Sequence, residues 1–286
     1  MCTTKLTNAD RAKVLVEALP NIQQYTNKVV VIKYGGNAMI NEQLKAAVMG
    51  DIVLLSLIGV KAVLVHGGGP EISDVMARIG KESVFVDGLR VTDKETASIV
   101  QMTLAGKINK SLVHTLCNTG GKAIGLAGLD CHLLEAVPLD ERLGYVGEIT
   151  NVNAQPILDL LEKGYTPVIS SVGCDRQGNV YNINADTAAA RIAGTLKAEC
   201  MISMTDTPGL LRDVDDPGSL ISVVQVSEAP QLMREGVIKG GMIPKVECCI
   251  EAIRRGVKKV FILDGRVPHS ILIEMLTDEG MGTMFC

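Results

Sequence analysis

The sequence predicts an α/β protein, a three-layer sandwich with helices on both faces of a mainly parallel sheet. Three observations carry that expectation. Short, continuously apolar runs alternate along the chain with segments of helical periodicity, which is how strands buried on both faces and joined through helices read. Several of those runs end in glycine or lysine rather than fading into polar loop, as at Val29-Val-Val-Ile-Lys-Tyr-Gly-Gly36 and Val65-His-Gly-Gly-Gly-Pro70. The 286 residues supply ample interior for one large domain or two lobes.

The elements follow in order. Val14, Leu15, Ala18, Leu19 and Ile22 recur at helical spacing, with Asn8 as the expected N-cap and Pro20 interrupting the pattern, so a helical arm precedes the first strand. Val29–Lys33 is a strand and Glu42–Leu57 a helix. Ala62–His66 and Glu71–Ile79 repeat the pair. A long helix covers Asp93–Cys117, and a strand follows at Ala123–Ala127. Between Leu133 and Thr150 two β-favouring pieces, Leu133–Val137 and Tyr145–Ile149, flank the charged turn Asp140-Glu141-Arg142 and read as an inserted hairpin. Alternation resumes with a helix at Ala154–Glu162, a strand at Pro167–Ser171, an alanine-rich helix at Ala185–Ala193 and a strand at Cys200–Thr205. A helix at Lys245–Arg255, a strand at Lys259–Leu263 and a helix at Ser270–Leu276 complete the pattern. Gly173–Gly178 is the best candidate for a boundary between lobes.

Composition excludes several classes of function. Charged residues make up 21% of the chain, net charge is −4, and no Lys/Arg run marks a nucleic-acid or membrane footprint. The first residues are polar, and the most apolar stretch, Ala46–Val60, is interrupted by Asp51, so neither a signal peptide nor a membrane span is expected and the cytoplasm is. The eight cysteines form no C-x-x-C pair and no Cys/His ligand cluster, which points to reduced thiols rather than a metal site.

Ligands of open α/β sheets bind beyond the carboxyl ends of the strands. Two such ends stand out here. Lys33 with Gly35-Gly36, and the triple glycine Gly67–Gly69, would bring an ammonium and converging backbone amides to an anion, although each could also be a strand that surfaces and turns. Asn182-Ile-Asn-Ala-Asp186 opens the alanine-rich helix, where Asp186 also serves as ordinary capping. Thr205–Leu210 follows a strand. Lys245 lies at a helix start, where the dipole disfavours a cation. No Walker A loop is present: Gly106-Lys107 is followed by Ile108. The dinucleotide fingerprint fails at Ile72, which weakens an NAD-dependent oxidoreductase. His66, His114, His132 and His269 form no triad, and no serine occupies a nucleophile elbow. Phosphoryl transfer to a carboxylate needs neither, because the acceptor is already ionised and catalysis is largely positioning and charge neutralisation.

These patches, I-K-Y-G-G-N-A-M, V-H-G-G-G-P, D-G-L-R-V-T, G-E-I-T, N-I-N-A-D and G-G-M-I-P-K-V, resemble in this order the amino-acid kinase superfamily and, within it, the N-acetylglutamate kinases, over nearly the whole chain. The resemblance implies an αβα fold with a helical arm (1–27), a lobe for N-acetyl-L-glutamate (about 28–175) and a lobe for ATP (about 176–286). It also implies synthesis of N-acetylglutamyl phosphate for arginine biosynthesis. Lys33 and Lys245 would flank the transferring phosphoryl group, with Asp186 orienting both. Gly68, Gly69, Arg90 and Asn182 would hold the substrate, Arg90 taking its free carboxylate. Gly35, Gly36, Asp206, Thr207, Gly209, Leu210 and Lys239 would contact ATP, with Mg²⁺ held by phosphates and water rather than by protein ligands. Arginine-inhibited members carry an N-terminal helix that interlaces dimers into a hexamer. Residues 8–26 resemble that helix, with Asn21 where such helices often carry tyrosine. Tyr25, His269, Glu279 and Gly282 would belong to the effector pocket. Related kinases of aspartate or carbamate, and a silent nucleotide-binding scaffold docking a PII-type signalling protein, are the alternatives. Arg90 favours a substrate with a second carboxylate, and the joint presence of Lys33, Lys245 and Asp186 favours an enzyme.

Overall fold

The computed structural model describes residues 7–39 and 41–286. The rest of the N-terminal arm, residues 1–6, lies outside the described residues. Eight strands form the central sheet in the order Val223–Val224, Thr283–Phe285, Lys259–Asp264, Cys200–Thr205, Val29–Tyr34, Lys61–His66, Thr166–Ser170, Ala123–Ala127. The six strands from Lys259–Asp264 to Ala123–Ala127 are mutually parallel, and Thr283–Phe285 runs antiparallel to its neighbour. Successive residues of one strand serve opposite layers, as a two-residue period demands. Val31 packs with the Ala185–Leu196 and Met242–Arg254 helices, whereas Val30 and Ile32 pack with Glu42–Leu57 and Asn109–Asn118. This is the expected three-layer sandwich.

The parallel arrangement places the carboxyl ends of four strands side by side. Lys33 pairs in register with Ser203 on one side and Val65 on the other, Tyr34 with His66, and Thr205 with Asp264. Every glycine- or lysine-marked strand end of the sequence therefore converges on one edge. Gly173–Gly178 leads into a hairpin turn: Val172–Cys174 and Val180–Asn182 pair antiparallel around it. They join the antiparallel pair Leu134–Pro138 and Gly147–Val152 in a second, four-stranded sheet.

Several local expectations are corrected. The arm is two helices, Asn8–Glu17 and Leu19–Tyr25, and its N-cap is Thr7, not Asn8. Thr7 accepts from the Asp10 amide while Asp10 accepts from the Thr7 amide, a reciprocal box that Asn8 cannot form. Pro20 sits in the first turn of the second helix, where its missing N–H costs nothing. The long helix begins after its cap Asp93 and runs as Lys94–Gln101, a π-wound segment Met102–Ile108, and Asn109–Asn118. The short Val223–Val224 and Thr283–Phe285 strands, the Phe85–Val86/Leu89–Arg90 hairpin and the Ala229–Arg234 helix have no counterpart in the sequence expectations.

Candidate active site

At the convergent strand ends, one carboxylate holds two lysines. Asp186 Oδ1 lies 3.1 Å from Lys33 Nζ and Oδ2 3.7 Å from Lys245 Nζ, and the Ser203 hydroxyl donates to Oδ1 at 3.0 Å. Each partner comes from a different element. Lys33 ends the first strand and Ser203 is its register neighbour. Asp186 follows the N-cap Asn184, whose side chain accepts from the Asp186 and Thr187 amides. Lys245 belongs to the Met242–Arg254 helix, which packs along the alanine-rich Ala185–Leu196 helix. Small side chains there bring the two helices close enough for Lys245 to reach. Burial would raise the Asp186 pKa, but the charges of Lys33 and Lys245, with hydrogen bonds from Lys33 and Ser203, outweigh it and hold the carboxyl below its ordinary value. Lys33 is 6% exposed, so this pairing is what makes its burial tolerable.

Two cavities adjoin the cluster. The larger, about 610 Å³, carries Lys33 and Lys245 on its wall together with Gly36, Asp206, Thr207, Gly209, Leu210 and Lys239. Gly36 has φ +70°, and a Cβ there would stand 2.5 Å from Asp206 Oδ1, so the loop admits only glycine while it lies against that carboxylate. Gly35 lies beneath the Lys33 side chain, where an added Cβ would sit 3.2 Å from Nζ. The Thr205 hydroxyl caps the turn by accepting from the Thr207 amide, and the Leu210 amide donates to Thr283 Oγ1 at 2.8 Å. The Leu210 side chain is in the core, and its carbonyl accepts from the Ile221 amide at 2.9 Å.

The smaller cavity, about 180 Å³, is lined by Gly68, Gly69, Arg90 and Asn182, with Asn184 and Ala185 leading to the Asp186 end. Arg90 is 5% exposed and stacks its guanidinium 4.8 Å over the Phe85 ring. It donates to Ser83 Oγ, Ser73 Oγ and the Gly69 carbonyl at 2.6, 2.8 and 2.9 Å. No carboxylate among the described residues pairs with this buried cation. Its burial lowers its pKa. Asn182 donates to Thr92 Oγ1 at 3.3 Å.

The remaining candidates lie where the arm meets the C-terminal segment. Tyr25 is buried, and burial, then the charges of Cys200, Glu199 and Glu274, pushes its pKa up. The Leu19–Tyr25 helix packs on Ser270–Leu276, and Asn21 reaches Asp278 at 3.4 Å. His269 precedes that helix with φ +61° and contacts Asp51 Oδ1 at 2.6 Å. Glu274 accepts from the Met281 and Gly282 amides, and Glu279 is exposed. Two residues of the site lie beyond the sequence reading. Ser203 was inside an apolar strand, with no signal but its register with Lys33. Arg266, on the wall of the larger cavity and paired with Asp264 at 2.8 Å, follows a strand end marked Asp264-Gly265, the same punctuation that exposed the other loops.

The fold, and two lysines sharing a carboxylate between two cavities, define a class. The amino acid kinase family model matches residues 28–264, and the chain belongs to that family. Along its length it is similar to acetylglutamate kinases. That of Brachyspira hyodysenteriae is 54% identical over 282 residues, covering 98% of both chains, and that of Clostridium beijerinckii is 53% identical, covering 98% and 99%. The protein is an enzyme of the acetylglutamate kinase group, a phosphotransferase. Among solved structures, an N-acetylglutamate synthase of Neisseria gonorrhoeae complexed with coenzyme A and N-acetyl-glutamate superposes with TM-score 0.84 at 25% identity. The match covers 96% of this chain but 63% of the synthase. A Giardia carbamate kinase, at TM-score 0.67 and 17% identity over 91% of this chain and 98% of its own, shares the fold.

Proposed function

We propose that the protein transfers the γ-phosphoryl group of ATP to the side-chain carboxylate of N-acetyl-L-glutamate, giving N-acetylglutamyl 5-phosphate for arginine biosynthesis in the cytoplasm. The observation that carries this reading is the Asp186-bridged lysine pair standing between a large cavity and a small one that ends at a buried arginine with no carboxylate partner among the described residues. The Arg90 guanidinium takes the α-carboxylate by exchanging the Ser83 and Ser73 hydroxyls, its present partners, for carboxylate oxygens. The side-chain carboxylate then points toward the Gly68 and Gly69 amides at the head of the Gly69–Arg78 helix. ATP occupies the larger cavity, with its γ-phosphate toward Lys33, Gly36 and Lys245.

A carboxylate oxygen attacks the γ-phosphorus, the bond to the ADP oxygen breaks, and ADP leaves with that electron pair. No base is needed, since a carboxylate is ionised near neutral pH. Lys33 and Lys245 donate to phosphoryl oxygens from two sides, and Asp186 keeps both in place. Among the described residues no group of three or more His, Cys, Asp or Glu side chains is set to hold a metal ion. Asp206 is the carboxylate on the wall of the larger cavity. Mg²⁺ would arrive on ATP, held by phosphates and water beside Asp206, and would supply neutralisation of phosphate charge.

In this reading residues 28–175 form the acceptor lobe and 176–286 the nucleotide lobe. Arginine is the proposed feedback inhibitor, bound where Tyr25, His269, Glu279 and Gly282 line the junction of arm and C-terminal segment. The arm supports a hexamer: the Asn8–Glu17 helix buries none of its residues, leaving Val14, Leu15 and Val16 exposed for a second copy. The resemblance adds a PII-type protein as a partner. The test is ADP release with N-acetylglutamate against glutamate, aspartate and carbamate, with and without arginine, on the full chain and on one lacking residues 1–26. Activity confined to the acetylated substrate, with arginine inhibition and hexamers lost on truncation, is expected. Equal turnover of aspartate or carbamate would overturn the substrate assignment, and indifference to millimolar-range arginine the regulatory one.

A further inference from the structure

His66 ends the Lys61–His66 strand directly before the glycine run, is 0% exposed, and lines neither cavity of the site. Both of its ring nitrogens are engaged. Nδ1 lies 2.9 Å from the Gly67 carbonyl oxygen, and Nε2 lies 3.1 Å from Asn109 Nδ2. The surroundings of Asn109 decide which nitrogen carries the proton. Lys110 Nζ donates to Asn109 Oδ1 at 3.2 Å, and the opposite end of the same amide faces the Val168 and Leu126 carbonyls at 2.9 and 3.3 Å. An ammonium needs an acceptor and a carbonyl needs a donor, so the amide has one chemically consistent orientation. Asn109 Nδ2 therefore donates to His66 Nε2, and Nδ1 bears the hydrogen that goes to the Gly67 oxygen. Burial, only partly offset by that bond, depresses the His66 pKa to about 4, so the ring is neutral at physiological pH.

The Gly67 carbonyl and the Gly68 N–H belong to one peptide unit. There are no cis peptides among the described residues, so the two groups point in opposite directions. A Gly67 oxygen drawn back to His66 turns the Gly68 N–H outward. The Gly68 and Gly69 amides have no acceptor among the described residues, and both glycines line the smaller cavity. Asn109 itself is 0% exposed and follows the π-wound Met102–Ile108 segment, whose altered winding sets the phase at which it enters the core. The facing strand makes room for it: a side chain at Gly125 would collide with Asn109 Oδ1.

We propose that His66 is a positioning residue for the transfer: its Nδ1–H, locked by Asn109, clamps the Gly67–Gly68 peptide so that the Gly68 amide faces the reacting carboxylate and phosphoryl oxygens. The proposal rests on the carboxylate-kinase reading above for the chemistry, but not for the tautomer it requires.

Two variants separate the clamp from simple packing. Asparagine can place its amide nitrogen where Nδ1 stood, and glutamine where Nε2 stood. His66→Asn keeps a donor for the Gly67 oxygen, whereas His66→Gln keeps the Asn109 side and loses that donor. The clamp predicts that His66→Gln lowers kcat with N-acetylglutamate by about 10²-fold, the scale of one misplaced oxyanion-type donor. His66→Asn should retain kcat within about fivefold of wild type, and KM for ATP should be unchanged in both. Equal losses in the two variants, in step with their melting temperatures, would overturn it. The ¹⁵N spectrum of the wild-type histidine rings supplies a test that needs neither variant to fold nor any substrate. A neutral Nδ1–H ring at His66 is expected, and a neutral Nε2–H ring overturns the proposal. A wild type that ignores N-acetylglutamate yet shows the Nδ1–H ring would sink the substrate assignment and leave the tautomer clamp standing.

Discussion

Replacing Asp186 with asparagine preserves shape and removes the one charge that two lysines share. At 3.1 and 3.7 Å, two unit charges attract by about 5 and 4.5 kcal/mol at an effective dielectric near 20. Those are gross values, and breaking one side of a buried pair costs about 3–5 kcal/mol in net stability. The sign with pH is defined. The folded-state pKa of Asp186 lies below its ordinary value, so its stabilisation is present above the unfolded value of 3.8 and is lost as pH falls through the folded one. Wild type should therefore exceed Asp186→Asn in denaturant midpoint at pH 7, with the gap closing in acid. Catalysis suffers separately. A freed Lys33 or Lys245 displaced by about 1 Å costs about 10²-fold in kcat, or ~2.7 kcal/mol. KM for the acceptor should hold, because Arg90 and the glycine loop bind it. Coupled ADP-release kinetics on folded protein read both parameters. A variant with kcat within about threefold of wild type would show that the shared carboxylate does not organise the lysines.

Three further outcomes are expected. Arg90→Lys removes a fork that donates to Ser83, Ser73 and Gly69, and should raise KM for the acceptor by about 10²-fold with KM for ATP unmoved; a shift in the ATP constant instead would detach Arg90 from the acceptor. Gly36→Ala forces a Cβ against Asp206 at φ +70°. It should raise KM for ATP by about tenfold and lower the melting temperature by a few degrees, from a strain of about 1 kcal/mol; wild-type values in both would refute the close approach. Asp51 is buried with Oδ2 unpartnered among the described residues. Its burial raises its pKa to about 6, against the hydrogen bond and charge of His269. A raised carboxyl favours folding when protonated, so stability falls as pH rises from 3.8 toward 6. Asp51→Asn should flatten the melting-temperature profile across that window, and an unaltered slope would remove Asp51 as its cause.

Local signals were legible where local physics sets the outcome. The Glu42–Leu57 and Ser270–Leu276 helices and the Ala123–Ala127 and Cys200–Thr205 strands have the bounds their apolar patterns predict. Caps were less legible. Asn8 and Thr7 are both competent N-caps, and the choice between them rests on the Asp10 side chain reaching back to the Thr7 amide. The Val223–Val224 and Thr283–Phe285 strands are too short to carry a two-residue period: Thr283–Phe285 exists because the Lys259–Asp264 edge offers it a ladder, and Val223–Val224 because Thr283–Phe285 then offers the next. The π-wound segment left no local mark, since its sequence is an ordinary helical one.

The same division holds for the site. By itself the sequence marked which strand ends carry lysine and glycine, that Asp186 heads a helix of small residues, and that composition favours small charged metabolites over polymers as partners. Those are properties of neighbouring residues, and short-range sterics and charge decide them. Only the tertiary structure decided that Lys33, Ser203, Asp186 and Lys245, spread over more than two hundred residues, meet at one carboxylate. It alone decided that Arg90 is buried with no carboxylate partner among the described residues, and that His66 is held between the Gly67 carbonyl and Asn109. Strand order and helix packing determine such meetings, and they are set by burial summed over the whole chain rather than by any segment of it.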